Sequence, residues 1–345
     1  MGVTPARLRG TTAYGSRIAC AHGAQRWVRS YVNLFDDFCP DVAALLTEQD
    51  GRLPPFDPKT RSGDALGAFG RLRSLVVLYG LGALVKTGLH RRLVYANLRL
   101  GWFREFQEYW VGALGNRPIH LHDFYFLSGA YRQRAQTLYF EHLERPELAS
   151  DDTHIDAWRD SRVVSYLFLH AYRMALSPLR VHPFTTYVPR GGRVAEYGCG
   201  MAPVVTALAR YYRHLDLQLV GADIPHLLFH YVRWKFRADR FVAMVPIRPN
   251  DDAPLPGEFD TIFCLETFEH LPRPIAVAQH FHRALKPGGY LVFDYIRSNG
   301  RGLDTASALR DRAPTLEFIL KHFDIVQGRV TTDSAFVTPA VARKR

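Results

Sequence analysis

Residues 193 to 200 read Arg-Val-Ala-Glu-Tyr-Gly-Cys-Gly, an apolar run that ends in an acid and meets two glycines at alternate positions. Downstream, Gln218-Leu-Val-Gly-Ala-Asp223 is a second apolar run ending in an acid. Few folds accommodate that pairing. It describes a strand, a tight glycine turn, a helix and a second strand with a carboxylate at its tip. Such a unit places a nucleoside-containing ligand at the carboxyl ends of a parallel sheet.

The texture of the chain changes around this unit. From 25 to about 178 the apolar positions recur with helical spacing, as in Trp27, Val28, Tyr31, Leu34 and Phe35. From about 185, short apolar runs alternate with helical stretches. The strands expected are 193–197, 217–222, 241–246, 259–264 and 289–294, with two more near 323–327 and 334–338. The helices expected are 203–213, 226–237, 273–285 and one near 303–321. Strands alternating with helices imply right-handed crossovers and a parallel sheet covered on both faces. The fold class is therefore α/β, preceded by an all-α region. We expect a flexible terminus over 1–24, a helical domain over 25–180 and the sheet domain over 185–345. The stretch Pro178 to Pro189 and the pair Gly191-Gly192 mark the boundary.

Composition bounds the partners. The chain has 345 residues and a formal charge of +11, and only six of its 44 basic residues are lysine. The arginines are dispersed and form no stripe, so nucleic acid is open as a partner but not favoured. The cysteines at 20, 39, 199 and 264 have no paired spacing, which points to reduced thiols and a cytoplasmic protein. The longest apolar run of the first half, Leu75 to Val85, is far short of a membrane span. The arginine-rich, acid-free stretch before Asp36 suits either an organellar transit peptide or a frayed terminus.

The glycines at 198 and 200 let the backbone turn off the strand and approach a ligand closely. Pro203 fits the first position of the helix that follows. Glu196 would repel a pyrophosphate, which argues against a dinucleotide. It favours a cationic neighbour, such as the ammonium and sulfonium of S-adenosyl-L-methionine. Asp223 can accept from ribose hydroxyls, and Ile224 can lie on an adenine face. Asn250, Asp251 and Asp252 follow the third strand, where a carboxylate can meet the adenine amino group. Taken singly, each acid could equally be a strand-end cap. Their recurrence at successive strand ends favours a ligand.

Val194-Ala-Glu-Tyr-Gly-Cys-Gly resembles the first motif of class I S-adenosylmethionine-dependent methyltransferases. Phe259-Asp-Thr-Ile-Phe-Cys-Leu-Glu-Thr-Phe-Glu-His-Leu resembles their fourth-strand segment. Ala284-Leu-Lys-Pro-Gly-Gly-Tyr-Leu-Val-Phe-Asp resembles their passage into strand five. The likeness covers about residues 190–297 and is strongest to quinone-biosynthesis enzymes, in which Glu-His-Leu follows strand four. Ala202 departs from the family, which usually has a third glycine there. The resemblance implies a Rossmann-like seven-stranded sheet, mostly parallel with the last strand antiparallel. It implies that Glu196, Gly198, Cys199 and Gly200 hold the methionine portion, and that Asp223 and Ile224 hold the nucleoside. Asp251 or Asp252 would hold the adenine, and Leu265 and Glu266 would wall the sulfonium.

Methyl transfer from a sulfonium needs alignment and exclusion of water, and a base only where the acceptor must lose a proton. His270 is the candidate base, with a turn-capping role as its structural alternative. Asp294 and Tyr295 are expected to face the same cleft. His120 and His122 lack a third ligand, so no metal is expected. Tyr166, Tyr172, Trp102, Phe106, Tyr109, Trp110, Phe124, Tyr125 and Phe126 could line an acceptor pocket, although core packing suits most of them better. Ser298-Asn-Gly-Arg-Gly-Leu-Asp-Thr resembles methyltransferases encoded with surface-polysaccharide enzymes. The acceptor expected is thus a small molecule or a glycan precursor. An RNA acceptor and a non-catalytic S-adenosylmethionine-binding role are the alternatives. The helical half also offers a surface for a homodimer.

Overall fold

A computed structural model describes residues 102–113, 167, 170, 180–248, 251–296, 304–333 and 336–345. The expectations for the terminus, for His120, His122, Phe124, Tyr125, Phe126, Tyr166 and Tyr172, for Cys20 and Cys39, and for Asn250 and residues 298–303 lie outside them.

Seven strands form one sheet in the order β3-β2-β1-β4-β5-β7-β6. They are β1 (Arg193–Tyr197), β2 (Gln218–Asp223), β3 (Val242–Pro246), β4 (Phe259–Cys264), β5 (Leu285–Ile296), β6 (Phe323–Gln327) and β7 (Phe336–Lys344). The first five pair in parallel, and β7 runs antiparallel to both β5 and β6. The sheet reverses its build direction between β1 and β4. That is the switch point at which ligands of doubly wound folds bind.

The helices are α1 (Trp102–Gln107), α2 (Pro203–Tyr211), α3 (Leu227–Lys235), α4 (Pro274–Ala284), α5 (Ala306–Arg310) and α6 (Arg312–His322). A π-helical turn, Glu108–Ala113, continues α1. Alternation along the strands divides the core in two. Val194, Leu219, Phe263 and Val292 face α2 and α3, while Ala195, Val220, Ile262 and Phe293 face α4 and α6. Phe106, Tyr109 and Trp110 are fully buried on the outer side of α3, so they are core residues.

Most expected boundaries hold to within two residues, and three differ by more. The helix expected near 303–321 is two helices that meet at Asp311. Thr305 starts the first of them, its hydroxyl accepting the Ala308 amide hydrogen at 2.9 Å. Strand β5 begins at Leu285 instead of 289, because Lys286-Pro-Gly-Gly289 stays within the strand. Strand β7 extends to Lys344, well past the expected 338. Among the described residues, no helix is long and apolar enough to cross a membrane.

Candidate functional site

Strand β1 delivers Glu196 to the α2 side of the sheet. Its carboxyl oxygens accept the amide hydrogens of Val204 at 3.1 Å and Val205 at 2.8 Å. The N-cap residue of α2 is Ala202, which has no side-chain acceptor, so Glu196 satisfies the helix start from across the turn. Burial raises the Glu196 pKa to about 8; the two amides and Arg180 oppose that shift, and Asp223 adds to it.

The turn itself is left-handed at three positions, Gly198 (φ 65°), Gly200 (φ 51°) and Ala202 (φ 51°). A Cβ on Gly198 would lie 2.3 Å from Thr267 Cγ2, so this glycine permits the close approach of the β1 and β4 loops. A Cβ on Gly200 would meet only Leu228 Cδ2, at 3.9 Å, so the backbone there borders open space. Cys199 is buried, with its amide on the Ala222 carbonyl, and burial pushes its thiol pKa up.

Asp223 is locked by its neighbours. Its carboxylate accepts from the Gly200 amide at 2.5 Å and from the Ile224 amide at 2.7 Å. His226 Nδ1 accepts the Phe229 amide hydrogen and caps α3. The ring proton of a neutral His226 is therefore on Nε2, which lies 3.3 Å from Asp223 Oδ1. Three donors thus already address this carboxylate.

Asp251 accepts from the Ala253 amide at 3.0 Å, and Asp252 pairs with Arg273 at 3.0 Å. Both are strand-end loop acids with local partners. Ile224 and Leu265 are partly buried against the core. Glu266 has a left-handed backbone (φ 52°), and its carboxylate meets Arg180 at 2.5 Å. Asp294 Oδ1 accepts the Glu266 amide hydrogen at 2.6 Å. Burial raises the Asp294 pKa to about 7, with Glu269 and Glu266 adding to it and Arg180 opposing. Glu269 is buried, its Oε2 has no hydrogen-bond partner, and its pKa is raised to about 8, chiefly by burial. His270 is half-buried in the short 3₁₀ turn Phe268–His270 after β4.

Tyr295 does not share the cleft with Asp294. Consecutive strand residues point to opposite faces, and Tyr295 lies in the core with Phe268 and Phe293. Its hydroxyl donates to the Ala308 carbonyl at 2.5 Å, and its ring stacks on Phe268.

Arg180 and Glu269 were not singled out from the sequence. Arg180 lies far from its partners in the chain, and no local pattern marks it. Glu269 stood in the quoted Glu-His-Leu segment, where its burial had no visible signal.

A family model described as a methyltransferase domain matches residues 168–328. Residues 168–328 form a class I S-adenosylmethionine-dependent methyltransferase domain. The domain is similar to ubiquinone biosynthesis O-methyltransferases. That of Thiobacillus denitrificans is 29% identical over 36% of this chain and 54% of the relative. That of Xylella fastidiosa is 34% identical over 35% of this chain and 49% of the relative. The chain thus spans about half the length of these curated relatives. Among solved structures, magnesium protoporphyrin IX methyltransferase from Synechocystis PCC 6803 aligns with 16% identity and a TM-score of 0.34. That alignment covers 51% of this chain and 83% of the other.

Proposed function

We propose that this chain transfers the methyl group of S-adenosylmethionine to an O, N or C atom of a small molecule or glycan precursor by in-line displacement. The observation that carries the donor assignment is the fixed Asp223 carboxylate beside the open backbone of Gly200. The residues fit the group. Asp223 suits a ribose hydroxyl, the neighbouring Glu196 and Glu266 suit a cationic sulfonium and ammonium, and Arg180 suits the α-carboxylate. With three donors already on Asp223, a carboxylate has room for about one more. A second ribose hydroxyl requires His226 to yield its place. Asp251 or Asp252 is assigned to the adenine amino group, with Ile224 against the ring and Leu265 beside the sulfonium.

When bound, S-adenosylmethionine supplies an already activated methyl group. The side chains of this domain then have only to align the acceptor and exclude water. Asp294, fixed by the Glu266 amide, is the residue proposed to orient an acceptor hydroxyl or amine, and its anchored carboxyl supports that reading. His270, on the rim after β4, is the candidate base. An RNA acceptor is the second reading, motivated by the chain's charge of +11, and the dispersal of its arginines weighs against it.

Calorimetric titration of S-adenosylmethionine into wild type and Asp223→Ala tests the donor assignment. Micromolar binding that the substitution weakens at least tenfold is expected (roughly the loss of one buried charge-assisted hydrogen bond). No binding to wild type, or equal binding to the variant, overturns it. A full single-turnover methyl-transfer rate in His270→Ala would assign that histidine a structural role.

A further inference from the structure

Helix α1 belongs to the amino-terminal half of the chain, yet it packs directly on the helix that leads from Asp223. Tyr109 ring contacts reach His230, Tyr231 and Trp234 of α3, with centroids 5.7, 4.9 and 5.4 Å away. The Tyr109 hydroxyl is 2.7 Å from His230 Nδ1 in a buried hydrogen bond. One turn earlier, Glu105 lies 3.4 Å from Lys235 Nζ, and its carboxylate, after burial, helps push the Tyr231 hydroxyl pKa up. The Lys235 side chain is only 6% exposed. The same ammonium donates to Thr206 Oγ1 of α2 at 3.1 Å.

These contacts hold the second half of α3, from His230 to Lys235, and the first turn of α2 at Thr206. The α2 start is held by Glu196, and the α3 start carries His226 against Asp223. Leu228, in the first turn of α3, forms the floor beneath Gly200. A shift of α3 would therefore move both the carboxylate neighbour and the floor of the glycine turn. Lys235 ties α1, α2 and α3 together through Glu105 and Thr206. A buried charge with so few partners tolerates little displacement, because leaving it unpaired is costly.

We propose that α1 is part of the donor site, with Glu105 and Tyr109 as positioning residues that set α2 and α3 in the geometry that binds S-adenosylmethionine. The amino-terminal half then contributes to donor binding as well as to the acceptor side. The proposal rests on the donor assignment above.

The test uses the full chain and S-adenosylmethionine, measured calorimetrically well below the unfolding temperature. Glu105→Gln is expected to weaken binding about tenfold, the scale of one misplaced buried charge (about 1.4 kcal/mol). Tyr109→Phe keeps the ring, removes one hydroxyl and folds; it is expected to weaken binding about threefold. The charged groups acting on Glu196 are Asp223, Arg180 and Lys235. Loss of the Glu105 partner favours neutral Lys235, so the pH midpoint of binding should also move upward in Glu105→Gln. A purely structural α1 would lower the melting temperature and leave the affinity and its pH midpoint at the wild-type values; that result overturns the proposal. Absence of binding to wild type would instead overturn the donor assignment itself.

Discussion

The Glu196 Oε2 atom accepts the Val205 amide hydrogen at 2.8 Å, so the first strand of the sheet caps the helix that follows it. The capping carboxyl is buried, and its folded pKa of about 8 lies well above the ordinary 4.5. Between those values the native state holds a proton that the unfolded chain has released. Glu269 shows the same upward shift, to about 8, and Asp294 shows it to about 7. The sign follows from linkage: stability falls as pH rises through this window. Denaturant unfolding of the ligand-free chain should show lower stability near pH 8 than near pH 5, with a slope of at most about 1.4 kcal/mol per pH unit for each titrating group. A stability that rises over the same range would show that these acids ionise normally.

The same acid couples donor binding to pH. A cation beside Glu196 favours its ionised form, so binding should release a proton. Affinity for S-adenosylmethionine is expected to increase from about pH 6 to about pH 7.5. Above about pH 8 the ligand's own α-ammonium deprotonates and the gain should level off. Calorimetry in two buffers of different ionisation enthalpy measures the released proton directly. Zero release across this range would exclude Glu196 as the linked group.

The two glycines of the turn should separate stability from binding. Gly198→Ala places a methyl 2.3 Å from Thr267 Cγ2 at φ 65°, so the β1 and β4 loops must part. A loss of more than about 3 kcal/mol is expected, from overpacking plus left-handed strain. Gly200→Ala meets no close atom and adds only the strain of φ 51°, about 1 kcal/mol. If a ligand lies against that backbone, its affinity should fall by far more than the stability does. Thermal unfolding together with titration of each variant distinguishes the two effects. Equal binding by Gly200→Ala and wild type would place the ligand elsewhere.

Much of this arrangement was legible before any coordinates. The strands β1 to β4 follow from apolar runs bounded by Gly, Pro and Asp, and the glycine turn follows from Gly198 and Gly200. The capping role of Glu196 was partly accessible too. Ala202 offers no acceptor at the start of α2, so one had to come from elsewhere. The Arg180–Glu266 pair spans 86 positions, and nothing local encodes it. Pro287-Gly288-Gly289 reads as a turn and is a bulge in β5: Leu285 pairs with Phe259, pairing resumes at Tyr290 with Thr261 and Arg343, and Gly288 between them is left-handed (φ 73°). Position at a strand end does not show which way Tyr295 turns; its packing on Phe268 and its bond to the Ala308 carbonyl do. The Glu105–Lys235 contact joins the two halves of the chain, and only tertiary packing could show it.

Strand parity makes the neighbours Asp294 and Tyr295 separable by mutation. Tyr295→Phe removes one buried hydrogen bond to the Ala308 carbonyl and leaves the stacking on Phe268. A cost of about 1 kcal/mol is expected, with unchanged affinity for S-adenosylmethionine. Asp294→Asn keeps an oxygen that can accept the Glu266 amide hydrogen, so fold and donor binding should survive. Asp294→Ala leaves that amide without its acceptor and frees Glu266 from its left-handed backbone. It should cost about 1–3 kcal/mol and disturb the Arg180–Glu266 pair at the rim, weakening donor binding. Unfolding curves and titrations of the three variants check this ordering. A Tyr295→Phe variant that loses donor affinity while Asp294→Ala retains it would return the tyrosine to the cleft.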